Sequence, residues 1–91
     1  MFDEETMLKQ HHFMNAILAL ASMYEFSVIG WGRTRKYNAI IGADPTSKHM
    51  QWLAVDVILD KDVDCNAFID ACINDGLHAY DKINHVHIEY V

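Results

Sequence analysis

Apolar positions recur at helical spacing through the first quarter of the chain. Phe13, Ile17, Leu20 and Tyr24 form one stripe, and Met14, Leu18 and Ala21 a second beside it, which predicts a helix over residues 3–24. Asp3 or Thr6 can cap its start, and acidic residues follow in the first turn. The period then changes. F-S-V-I-G (26–30) is a short β-like run, W-G-R-T-R-K-Y-N (31–38) is polar, and G-A-D-P-T-S-K (42–48) is a loop signal. L-A-V-D-V-I-L (53–59) predicts a buried strand, and residues 64–75 a second helix capped by Asp64, with Phe68, Ala71 and Cys72 inward and Gly76 ending it. Leu77–Asp81 and Val86–Tyr90 predict a hairpin around Lys82-Ile83-Asn84. In its second strand, His85, His87 and Glu89 share one face and Val86, Ile88 and Tyr90 the other. The pattern as a whole predicts an α+β fold: a small, mostly antiparallel sheet with helices packed on one side.

Length confines this pattern to one domain over residues 1–91, and the 52% apolar content excludes disorder. Net charge is −6, which speaks against nucleic acid as a partner, since phosphate binding needs clustered Lys and Arg. Arg33, Arg35 and Lys36 are the one basic cluster, enough to hold a single carboxylate or phosphate. The N-terminus M-F-D-E-E-T lacks the basic start of a secretory signal, and the apolar stretch Ala16–Ala21 is too short for a bilayer. These features predict a soluble monomer made in the cytoplasm, with no membrane partner. Cys65 and Cys72 lie seven residues apart on the second helix. That is about 10 Å along its axis, too far for a disulfide, so both read as free thiols or small core residues of a reducing compartment.

Candidate chemistry begins with Asp56, a carboxylate among aliphatic strand residues. Burial there requires a hydrogen-bond partner, an ion pair or a metal. His49 precedes it by seven residues and His87 follows on a late strand. Imidazole and carboxylate donors in this His/Asp/His set suit zinc, with a fourth position left for water. Adjacent His11 and His12 point about 100° apart on a helix and read as solvent-facing or partly packed. His78 reads as a strand-surface residue, Trp31 and Trp52 as core or cleft wall, and Arg35 and Lys36 as solvated.

The surrounding residues sharpen the set. Ser47-x-His49-x-x-Trp52-x-Ala54-x-Asp56, followed by His85-x-His87, resembles the zinc D-Ala-D-Ala carboxypeptidase and L-alanyl-D-glutamate endopeptidase family. That family, of the hedgehog/DD-peptidase fold, has the pattern S-x-H-x-x-G-x-A-x-D and a late H-x-H. Upstream, V-I-G-W-G-R-T-R-K-Y-N (28–38) looks like its (V/I)-x-S-G-Y-R-S-x-x-x-N segment, and Gly42-Ala43 matches a turn before the S-x-H. The resemblance runs from about residue 8 to the end, in order and in spacing.

The resemblance implies that His49, Asp56 and His87 ligate Zn2+. It implies that Arg33 holds a substrate carboxylate, that Ser47 orients substrate or ligand beside the metal loop, and that His85 stabilises charge on the attacked carbonyl. The implied partner is a peptidoglycan stem peptide, and the implied member is a small phage-type lysis enzyme that reaches the cell wall after release. Two positions depart from the pattern. The family glycine is Trp52, which implies a different turn there. The acid three residues before the last zinc histidine is Asn84, which cannot accept a proton. Some phage-type members carry an acid six residues before that histidine, which makes Asp81 the expected general base and Glu89 a further candidate. The alternative is a catalytically degenerate member that binds metal or ligand, or serves as a structural part.

Overall fold

A computed structural model describes residues 2–91. Helix α1 spans Glu4–Ala21, strand β1 Phe26–Gly30, helix α2 Arg35–Ile40, a 3-10 helix Lys48–Gln51, strand β2 Ala54–Leu59, helix α3 Cys65–Asn74, strand β3 Leu77–Asp81 and strand β4 Val86–Tyr90. The predicted α+β class holds. Two departures lie in the segment read as polar stretch and loop, which contains α2 and the 3-10 helix. Thr34 caps α2 by accepting from the Tyr37 amide, and Ser47 caps the 3-10 helix by accepting from the His49 amide. At the N-terminus Asp3, not Thr6, is the cap, and it accepts from the Thr6 amide.

The sheet is antiparallel throughout, in the order β1-β2-β4-β3. Strand alternation sorts its two faces. Val55 and Val57 of β2, Val86 and Ile88 of β4, and Leu77 of β3 are buried against Phe13, Ile17 and Leu20 of α1 and Phe68 and Cys72 of α3. Tyr24 and Phe26 meet Phe68 edge to face, at centroid distances of 5.5 and 5.4 Å, and close this core at the β1 end. Asp56, directly opposite His87 across β2 and β4, points to the other face. The core thus fixes the site: burying Val55, Val57, Val86 and Ile88 forces Asp56 and His87 together on the far side, because a one-residue slip would invert both strands.

Gly76 follows α3 at φ +80°, the left-handed position that favours glycine after a helix end. Both cysteines are free. Burial, with a smaller push from Asp75, raises the Cys72 thiol from 9.0 to about 12. A thiol held protonated by the folded state gives full stability below its unfolded value near 9. That contribution is lost as pH rises from there towards about 12. Since the thiolate is the reactive form, iodoacetamide at pH 8 is expected to leave Cys72 untouched in the folded protein and to modify it once urea unfolds the chain. Peptide mass mapping reads the difference, and native labelling at the rate of a free cysteine would contradict it.

Candidate metal centre

Asp56 lies in the sheet's interior pair, with Gly30 of β1 on one side and His87 of β4 on the other. Its carboxylate meets three imidazoles. His87 Nδ1 is 2.8 Å from Oδ1, His49 Nε2 is 3.3 Å from Oδ2, and His85 Nε2 is 3.8 Å from Oδ1. His49 arrives from the 3-10 helix and is buried. The Arg33 amide donates to the His49 carbonyl at 2.9 Å, which ties that helix to the chain following β1. One ligand atom each from His49, Asp56 and His87 lies within 4.8 Å of the others, so the group can hold a metal ion.

Counting hydrogens shows why a cation fits. His49 Nδ1 stands 2.7 Å from the Trp31 carbonyl oxygen, which can only accept. Nδ1 therefore carries the hydrogen, and the Nε2 lone pair faces Asp56. His87 has a carboxylate oxygen at both ring nitrogens: Asp56 at Nδ1 and Glu89 Oε1 at Nε2, each at 2.8 Å. With both imidazoles in the neutral form that metal ligation requires, one hydrogen serves three contacts with carboxylates. A cation among His49 Nε2, Asp56 and His87 Nδ1 removes both acceptor–acceptor contacts. Tetrahedral ligands at ~2.1 Å from an ion stand about 3.4 Å apart, close to the observed His49–Asp56 separation.

The outer partners are also in place. The Trp31 carbonyl takes the hydrogen of His49 Nδ1, and with an ion at His87 Nδ1 the Glu89 carboxylate would take that of His87 Nε2, so each ring has an orienting partner. Glu89 is itself held, its Oε2 lying 3.8 Å from Lys48 Nζ, and Lys48 also donates to the Tyr90 carbonyl. Residues adjacent to or one removed from the two histidine ligands, Lys48 and Glu89, thus form an ion pair behind them. Tyr80, opposite His87 on β3, stacks on its ring at 6.1 Å. Glu89→Gln is expected to lower metal affinity by about 10–100-fold while leaving one ion per chain at saturation. Competition with a chromophoric chelator measures it; unchanged affinity would contradict the role.

The other expected residues divide. Ser47 caps the ligand-bearing helix, so it positions His49. Arg33 is half-buried, and its guanidinium donates to Asn38 Oδ1 at 2.8 Å. It has no carboxylate partner among the described residues. Asn38, 2% exposed, gives its own amide hydrogens to the Ala43 and Asp44 carbonyls. It orients the guanidinium without neutralising it. His85 donates from Nδ1 to Asn84 Oδ1 at 2.7 Å, which turns Nε2 towards Asp56. Asp81 is not brought to the trio. It pairs with Val86, a core-face residue, and its carboxylate accepts from the Ile83 amide at 2.9 Å in the hairpin turn. There it faces α3: burial first, and then Asp81, push the Cys65 thiol up. The expectation of Asp81 as general base fails because the hairpin register puts it on the opposite face from His87.

Trp52, at the glycine position of the resembled pattern, adopts the left-handed conformation, at φ 59° and ψ 32°. For a bulky L-residue that costs about 1–2 kcal/mol, which glycine would avoid. Asn38, Lys48 and Tyr80 escaped the sequence reading as site residues. Asn38 stood in the pattern without a role, and nothing local to Lys48 or Tyr80 signals their partners.

Two cavities flank the centre. One of about 900 Å³ is lined by Arg33, Arg35, Met50 and Trp52, and one of about 540 Å³ by Lys48, Tyr80, Lys82 and His87; Thr46 and Ser47 line both. Four of the chain's seven Lys and Arg residues are in these linings, against Asp44 and Glu89 of its thirteen acids. The larger cavity holds Arg33 and Arg35 and no acid, whereas the smaller balances Lys48 and Lys82 against Asp44 and Glu89. No helix among the described residues is long and apolar enough to cross a membrane. Comparison with protein-family models, curated proteins and solved structures yields no match for this chain.

Proposed function

We propose that the protein is a zinc metallopeptidase that hydrolyses amide bonds of peptidoglycan stem peptides, as the resemblance of its S-x-H…D…H-x-H pattern implies. The observation that carries this reading is the convergence of His49 Nε2, Asp56 and His87 Nδ1, whose ligand atoms lie within 4.8 Å of one another. Zinc held there would supply Lewis-acid polarisation of a carbonyl and a more acidic water. The chain's own residues supply the rest. Arg33, oriented by Asn38 and lacking an acidic partner, takes a peptide carboxylate in a bidentate fork. His85, its tautomer set by Asn84, accepts a proton at Nε2 and returns it to the leaving amine. In this reading His85 takes over the task first expected of Asp81. The reading has the protein act on the cell wall after release.

Zinc titration of the purified protein, with metal content and release of amino groups from peptidoglycan followed together, tests it. The expected result is one zinc per chain and zinc-dependent cleavage. His85→Ala should keep the zinc and lose about 10²–10⁴-fold in rate. Absence of stoichiometric metal would sink the site.

A second reading has its own support. Asn84 stands where the family pattern has an acid, and Asp81 faces away. A protein that keeps the metal and binds a ligand without cleaving it fits those two residues. Bound zinc with no cleavage favours this alternative.

A further inference from the structure

Trp52 combines three features. Its backbone is left-handed, a conformation in which glycine would serve the same helix end. Its ring lies against Gly32, so closely that a Cβ there would stand 1.9 Å from ring atoms Cδ2 and Cε2. And it is 45% exposed, one wall of the cavity that also holds Arg33. The fold does not need an indole at this place. The core is built on the other face of the sheet, and the Trp52 backbone hydrogen bonds, from its amide to the His49 carbonyl and from Trp31 Nε1 to its carbonyl, are independent of its side chain. Strain held at an exposed aromatic beside an uncompensated guanidinium points to a ligand contact.

We propose that Trp52 is a specificity-determining residue of the cleft: its exposed indole face receives the apolar side chain next to a carboxylate held by Arg33. The ring lies on Gly32, the residue before Arg33, and the two side chains line the same cavity. An apolar methyl or larger group fits the indole face, while a glycine in the same ligand position leaves it uncovered. This rests on the peptide-binding reading of the cleft but not on metal or on catalysis.

The test uses metal-free protein, so that it is separate from zinc binding and cleavage. The probes are N-acetyl-D-alanyl-D-alanine and N-acetylglycylglycine, titrated against the two indole N–H resonances, with Trp52→Phe identifying the signal of Trp52. The expected result is a shift of the Trp52 resonance on saturation with the alanyl probe and at least fivefold weaker binding of the glycyl probe. In Trp52→Gly that preference should vanish while the urea midpoint stays level or rises. Should Trp52→Gly not fold, the wild-type shift and the preference between probes still decide. A Trp52 resonance unmoved at saturation, equal affinity of wild type for both probes, preference retained in Trp52→Gly, or no binding of either probe would each overturn the proposal.

Discussion

Asp56→Ala is expected to weaken metal binding by about a hundredfold or more. Asp56 is the one residue in contact with both candidate histidine ligands, through Oδ1 to His87 and Oδ2 to His49. If ~10–16 kcal/mol of site affinity is shared over four ligands, each is worth on the order of 3 kcal/mol, or about a hundredfold or more. The substitution also removes the only negative charge between the two rings. Metal-free Asp56→Ala should nevertheless stay folded, because the core of Val55, Val57, Val86 and Ile88 lies on the other face of the sheet and the alanine leaves no buried charge behind. Removing His87 instead would strand Asp56 without its shortest partner, so His87→Ala should destabilise the metal-free protein more than Asp56→Ala does. Calorimetric zinc titration and urea unfolding of both variants check the two statements. Metal affinity in Asp56→Ala within tenfold of wild type would contradict the assigned ligand set.

Gly32→Ala is the second substitution with a large expected effect. Its Cβ would enter the Trp52 ring at 1.9 Å, so the ring must leave its seat or the 3-10 helix must shift. Overpacking of this kind costs about 1–3 kcal/mol, and for a domain of this size each kcal/mol lowers Tm by roughly 4–8 °C. Trp52→Gly alone should be near neutral, since the loss of partial ring burial is offset by relief of the left-handed strain. The double variant should recover most of the stability lost in Gly32→Ala, with a coupling on the order of 1–2 kcal/mol between the sites. Denaturant titration of the four proteins gives the cycle, and strict additivity would refute it.

The residues differ in how far the sequence alone reveals them. Helices α1 and α3 have long periodic stripes and caps, β2 is a nearly continuous aliphatic run and β4 alternates cleanly, so all four were legible. Asp56 was conspicuous because a carboxylate in an aliphatic strand needs a partner wherever it is found. Helix α2 was not legible: six residues with one buried side chain, Asn38, offer no stripe to recognise. Asp81 failed for a different reason. Which face it takes depends on whether it pairs with Val86 or with a neighbour one place along. The turn through Lys82–His85 decides that, with Ile83 at φ +75°. A period of two carries no information across a loop of unknown parity. Glu89 and Lys48 lie 41 residues apart in sequence, and their pairing follows only from the β2–β4 ladder.

The strand order has an entropic side. β3 and β4 are joined by a tight hairpin and can pair locally, whereas β4 reaches β2 only after closing a loop that contains all of α3. That closure is long-range and entropically costly, as is the pairing of β1 with β2. The Asp56–His87 pair lies across the seam it makes. An ion held by those two residues and His49 would act as a staple between segments far apart in the chain.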